Sequence, residues 1–190
     1  MSDSLITKQA IAGALKQLCR TKPFHKISIA DITEACGLNR QTFYYHFQDK
    51  FELLNWIYYT EAFSQVVENI SLDNWNDQLL LLLQTMKGEK VFYCNTIKDQ
   101  RDNFTDYLYK LTHTLFYEAI QKLDEHHRLT ERQKTFYADF FSFGISGVVL
   151  SWVQNSMKEP PENIVLLMKS LVSNSEKVAF QKYTETQSAD

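Results

Sequence analysis

Apolar positions recur at helical spacing along nearly the whole of this 190-residue chain, and few segments show sustained two-residue alternation. Ile6, Ala10, Ala14 and Leu18 form one stripe and predict a first helix over about 5–20, ending before Pro23. Ser28 precedes Ile29, Ile32 and Ala35, so a short second helix should start there, with Ser28 as N-cap and Asp31 suited to the helix dipole. Gly37 follows Cys36 where that helix must end, because glycine tolerates the left-handed backbone such a turn needs. Asn39 caps a third helix, in which Phe43 and Phe47 share a face. Asp49 begins a fourth, with Glu52 three residues on in a capping-box arrangement, and this helix runs to about Ile70. Further helices are expected at about 74–86, 89–98, 104–123, 132–157 and 161–182. Their breaks fall at Ser71–Asp73, Gly88, Asp99–Asn103, Asp124–Glu131 and Pro160-Pro161, and the polar tail from Tyr183 should fray. The fold class is therefore all-α, with about nine helices. Residues 1–48 form an N-terminal three-helix domain and residues 49–190 a C-terminal helical bundle.

Residues 27–54, ISIADITEACGLNRQTFYYHFQDKFELL, carry the most specific pattern. A capped helix, a glycine turn, a two-faced short helix and an immediately re-capped helix make the layout of a helix-turn-helix that reads DNA. Opposite Phe43 and Phe47 lie Gln41 and Tyr45, flanked by Thr42 and Tyr44, with Arg40 on the first turn. Each can donate a hydrogen bond to a phosphate or a base edge. Lys50 sits beside a helix start, where its charge opposes the dipole, and this suggests a partner anion such as phosphate. An ordinary helical hairpin with a solvated face is the competing reading, and the agreement of four independent features outweighs it.

The run Ile29-Ala30-Asp31-Ile32, Ala35-Cys36-Gly37-Leu38, Thr42-Phe43-Tyr44-Tyr45-His46-Phe47 and Lys50-Phe51-Glu52-Leu53-Leu54 resembles the N-terminal domain of TetR-family transcriptional regulators over about residues 5–55. The resemblance implies that the helix at 40–46 enters the major groove. It further implies that Thr42, Tyr44 and Lys50 contact phosphates and that Arg40, Gln41 and Tyr45 lie nearest the bases. Ser28 and His46 complete the candidate DNA-binding set. Many members carry a small residue or Gly where this chain has Arg40-Gln41, so no operator sequence can be borrowed from relatives.

Charge changes the picture only modestly. The chain carries −3 overall, but residues 1–50 hold seven Lys or Arg against four Asp or Glu, which suits phosphate contact at one end. Cys19, Cys36 and Cys94 are odd in number and widely spaced, so reduced thiols are expected, and neither a disulfide framework nor a zinc site. No segment reads as a signal peptide, and the apolar run Leu79–Leu83 is far too short to span a membrane. A cytoplasmic location is expected, with no cofactor and no metal. No GxSxG, HExxH or glycine-rich phosphate loop occurs, and His126-His127 reads as part of a polar loop, so an enzyme is not indicated.

Two further sets of residues are candidates. Phe136, Phe140, Phe143, Gly144, Gly147, Val148 and Trp152 form an apolar stripe with small residues, and Val165, Met168, Leu171, Val172 and Phe180 form another. The family resemblance implies that these helices build a four-helix homodimer interface, with Phe140, Gly144, Gly147, Trp152 and Met168 in it. The segment FFSFGISGVVLSWVQNSMKEPPENI, with Phe92-Tyr93, resembles a C-terminal type that includes regulators of dihydroxyacetone kinase operons. The middle of the chain mixes aromatic and polar residues, among them Trp75, Tyr107 and Tyr137, as a small-ligand site requires. Tyr93, His113, Phe116 and Tyr117 are the candidate walls, and a filled core with a protein co-regulator outside is the other possibility. The reading is thus a homodimeric regulator binding an operator in double-stranded DNA under control of a small effector or co-regulator. Its alternative is a helical ligand-binding or protein-interaction module without specific DNA binding.

Overall fold

The computed structural model describes residues 3–71, 73–124 and 128–187, and His126-His127 lies outside them. Among the described residues the chain is helical throughout and contains no strand. Helix α1 is Asp3–Leu18, followed by a 3₁₀ turn at Phe24–Lys26, α2 at Ile29–Ala35 and α3 at Arg40–His46. Then come α4 at Lys50–Ile57, a π-helical segment at Tyr58–Phe63 and α5 at Ser64–Asn69, which run on as one continuous rod. The bundle is completed by α6 at Trp75–Gly88, α7 at Lys90–Asp99, α8 at Arg101–Leu123, α9 at Glu131–Gln154 and α10 at Pro161–Gln187. With the 50–69 rod counted once, these make nine helices among the described residues.

Several expectations are corrected. The buried stripe of α1 is Ile11, Ala12, Leu15 and Cys19, with Ala14, whereas Ile6 is 53% exposed and Ala10 faces outward. The bulkier Ile-Leu-Cys row, also at i, i+4 spacing, takes the core. The break expected at Asp99–Asn103 shrinks to Gln100 alone, so α7 and α8 are almost continuous. Helix α9 stops at Gln154, because Ser156 and Met157 adopt left-handed backbone (φ 56° and 47°). Helix α10 continues to Gln187, past Tyr183, where fraying was expected.

One core runs from the N-terminal helices into the bundle, through Phe24, Phe43, Leu53, Ile57, Tyr58, Phe92, Phe104 and Val149. Helices α8 and α9 pack against each other as a long pair, and α10 lies on α6. By length and composition alone α9 is long and apolar enough to cross a membrane. Its inner face, however, is packed through Ala138, Ser142, Ile145 and Val149. Cys19 is buried, and burial pushes its thiol up to about 12, so it stays protonated at neutral pH.

Candidate nucleic-acid interface

Local chemistry fixes α3 and its neighbours from both ends. At α2, the Ser28 hydroxyl accepts from the Asp31 N–H at 3.2 Å while the Asp31 carboxylate accepts from the Ser28 N–H at 2.8 Å, a complete capping box. The Lys22 ammonium donates to the same carboxylate at 2.9 Å. The Lys22 bond first, and then the Ser28 donors, hold the Asp31 carboxyl well below the usual carboxylate range. Gly37 takes φ 68° and turns the chain into α3. There Asn39 Oδ1 accepts from the Thr42 N–H at 2.7 Å and from the Thr42 hydroxyl at 3.0 Å. At the far end Asp49 Oδ1 accepts from the Phe51 and Glu52 N–H groups, and Glu52 reaches back to the Gln48 N–H.

Phe43 and Phe47 are dry, with ring centres 5.9 Å apart, and Phe47 also packs edge-on to Trp56. That anchor leaves Arg40, Gln41, Tyr44 and Tyr45 exposed on one side of α3; Tyr45 is 83% exposed. Thr42 and His46 are half-buried at its margins, and Tyr45 meets the His46 ring edge-on at 5.0 Å. A rigid seven-residue helix therefore presents a guanidinium, an amide and two phenols together. This set can donate to phosphate oxygens and to acceptors on base edges. Ser28 is committed to its capping box, with its hydroxyl donating to Asp31 at 2.8 Å.

Lys50, expected at a phosphate, is engaged within the chain in this structure. Its ammonium donates to the carbonyls of Phe24, His25 and Ile27 at 3.0, 3.2 and 2.8 Å, and sits 4.7 Å from the centre of the Phe24 ring. Three neutral carbonyl dipoles beside the 3₁₀ turn thus receive its donors. Of the other basic residues in 1–50, Lys16 pairs with Glu61 and Glu89 of the body, and Lys22 with Asp31.

The four proposed ligand walls do not share a cavity. Tyr93 is buried, stacked on Tyr58 with ring centres 5.7 Å apart, and burial raises its phenol. His113 and Tyr117 stack on each other at the surface of α8 and face acidic partners on α9: Asp139 for His113 and Glu131 for Tyr117. Phe116 stacks on Phe141 and lines a cavity of about 20 Å³ with Ile70, Trp75, Leu82 and Leu111. That volume holds about one water.

The dimerisation candidates also divide. Phe140 is 68% exposed, and Gly144 and Gly147 lie on the same outward side of α9; a Cβ added at either glycine would meet nothing in this chain. Phe136, Phe143 and Val148 extend that face, and Leu167 and Leu171 are exposed on α10. Trp152 and Met168 are instead buried in the protomer. The left-handed turn after α9 brings the Glu159 carbonyl to the Trp152 indole N–H at 2.8 Å, and this draws the ring inward. Phe180 lies outside the described side chains.

Sequence reasoning missed the polar residues of α7 that hold the N-terminal helices. Asn95 and Asp99 hydrogen-bond to residues 19–25, more than seventy positions away. Only spacing i, i+4 on one face of α7 hinted at them, and that pattern marks any solvated helix face.

Comparison with known proteins agrees with this architecture. Residues 11–57 match the family described as bacterial regulatory proteins, tetR family, and residues 73–174 match a transcriptional regulator C-terminal region. A curated relative, the HTH-type dhaKLM operon transcriptional activator DhaS of Lactococcus lactis, is 38% identical over 93 residues. That match covers 49% of this chain, and the chain spans about half the length of that relative. The solved structure of a dihydroxyacetone kinase operon activator DhaS superposes with TM-score 0.71 at 26% identity, covering 92% of this chain and 98% of that one. NalD, the secondary repressor of the MexAB-OprM multidrug efflux pump in Pseudomonas aeruginosa, shares the fold with TM-score 0.65 at 18% identity, over 90% of this chain and 97% of its own. The chain belongs to the TetR family of bacterial transcriptional regulators.

Proposed function

We propose that two copies of this chain bind an operator through their α3 helices and regulate transcription from it. The observation that carries the reading is the outer face of α3, where Arg40, Gln41, Tyr44 and Tyr45 stand exposed on a helix anchored by dry Phe43 and Phe47. Residues 1–48 form the reading head, and residues 49–190 form the body that senses and dimerises. The dimer closes through the aromatic face of α9 with α10, where Phe136, Phe140 and Phe143 are each more than 60% exposed. Two-fold symmetry sets the same patch against itself and calls for an inverted pair of half-sites.

The likeness to DhaS supports a dihydroxyacetone kinase operon as the target, with the protein working in the cytoplasm. The signal reaches the outside of the body. Ligand sites of drug-sized molecules occupy hundreds of cubic ångströms, whereas the cavity beside Phe116 admits about one water. The test is a mobility shift of the DNA upstream of its own gene. Retardation that weakens from ~50 to ~200 mM salt is expected, and Tyr45→Ala with Arg40→Ala should abolish it. No shift of any upstream fragment at low salt overturns the reading.

A further inference from the structure

Beside the shared apolar core and the Lys16 pairs with Glu61 and Glu89, two further features tie the N-terminal head to the body. One is covalent: the head runs directly into α4, which continues into the π-helical segment Tyr58–Phe63 inside the body. π-helical turns are rare, short interruptions of an α-helix and a common place for it to bend. The other is polar and comes from α7. The Asn95 side-chain oxygen accepts from the Phe24 N–H at 2.9 Å, and its amide donates to the carbonyls of Cys19 and Lys22, both at 2.8 Å. One side chain thus uses an acceptor and both donor hydrogens on the connection between α1 and α2. One turn later, Asp99 accepts from the His25 N–H at 2.9 Å and faces the His25 ring nitrogen at 2.9 Å. The same helix grips the start of the π segment, where the buried Tyr58 hydroxyl donates to Thr96 Oγ1 at 2.7 Å.

We infer that Asn95 is a positioning residue for operator binding, fixing the tilt of the head on the body and thereby the half-site spacing the dimer accepts. The inference rests on the dimeric operator reading above. The geometry is restrictive: Phe24 is fully buried, and the three Asn95 bonds point in different directions from one amide. One base pair shifts a half-site by ~3.4 Å and turns it by about 35° around the duplex, so a firmly held head should penalise a spacer one base pair too long or short, and a loosened head should penalise it less. The Asn95 hydrogen bonds go to Cys19, Lys22 and Phe24 and none goes to α3, so its loss should leave the exposed face of α3 intact.

The experiment uses the full-length protein and a half-site selected by the wild type from random DNA. Inverted pairs of that half-site are built with the selected spacer and with one base pair added or removed, together with a single half-site. Wild type should prefer the selected spacer. Asn95→Leu should compress that preference by at least ~10-fold, with single half-site affinity within ~3-fold of wild type and the protein still dimeric. Asn95→Asp keeps the acceptor for Phe24 and loses both donors, so it should lie between them, and it carries the test if the leucine variant fails to fold. Unchanged spacing preference in the variants that fold overturns the inference while leaving operator binding standing. Equal weakening on every probe, the single half-site included, also overturns it, since Asn95 would then maintain the head's own fold. Absence of half-site binding by wild type overturns the operator reading, and this inference with it.

Discussion

Lys50→Met separates two roles that the same lysine could play. In this structure the ammonium is shared by three carbonyl oxygens at 2.8–3.2 Å and lies over the Phe24 ring. Methionine keeps the apolar stem and removes the donor. Phe24 O retains the Ile27 N–H at 3.1 Å, so the oxygens of His25 and Ile27 lose most. Hydrogen bonds to a charged group contribute ~1.5–3 kcal/mol each, and one partly desolvated ammonium serving three oxygens gives a net loss of about 2–3 kcal/mol. For a chain of this size that lowers the melting temperature by about 4–12 °C. Affinity for the operator should fall through the loosened head, but its salt dependence should hold, because no phosphate contact has been removed. A lysine on a phosphate behaves oppositely: its loss reduces the slope of log K against log salt by ~0.9 per protomer. The assay is thermal melting beside operator binding at several salt concentrations. A slope lower by about two per dimer, with an unchanged melting temperature, refutes the assignment.

Three other outcomes follow from the geometry. Phe140→Asp places a charge at the centre of the aromatic face of α9 and should leave a folded monomer in sedimentation; Gly147→Leu should do the same by steric overlap, since the added side chain meets nothing within its own chain. Either variant remaining a dimer contradicts the interface. Asp31 has its folded-state pKa depressed, so it contributes stability above the unfolded value of about 4, and this is lost as pH falls through the folded value. Asp31→Asn should therefore melt below wild type at pH 7, with a gap that closes as pH drops under about 4; a gap constant with pH counts against the Lys22–Asp31–Ser28 arrangement. Dihydroxyacetone should leave tryptophan fluorescence and melting unchanged, whereas a saturable shift abolished by Phe116→Trp would establish an internal site.

What the chain revealed in advance was chemistry between near neighbours. Ser28 with Asp31, Asn39 with Thr42, the Asp49 cap and the φ of Gly37 act within four residues, so pattern and spacing suffice to read them, although the reciprocal half of the expected Asp49–Glu52 box is absent because Glu52 takes the Gln48 N–H. The dry pair Phe43 and Phe47 followed from helical periodicity, and with it the outward face of α3. What periodicity and spacing did not reveal were interactions between distant parts of the chain. The destination of Lys50 lies 23–26 positions upstream, and that of Asn95 lies 71–76 positions upstream. Periodicity could not say which of two overlapping stripes on α1 would face inward. Nor could it reveal that a left-handed turn at Ser156 and Met157 would fold Trp152 back into the protomer. Tyr93, His113, Phe116 and Tyr117 have the composition of a pocket, but three-dimensional packing sends them to three different environments.

The central claim is that α3 reads base sequence, and selection of bound duplexes from a random pool measures it most directly. The intact wild-type protein should enrich an inverted repeat with one defined half-site. Arg40→Ala and Gln41→Ala should each relax the preference at particular positions of that half-site, by ~1–3 kcal/mol for each base-edge hydrogen-bonding pair removed, while Tyr44→Ala weakens binding to all sequences alike. A pool that emerges without an enriched sequence, or one whose consensus is unchanged by both Arg40→Ala and Gln41→Ala, would contradict the account.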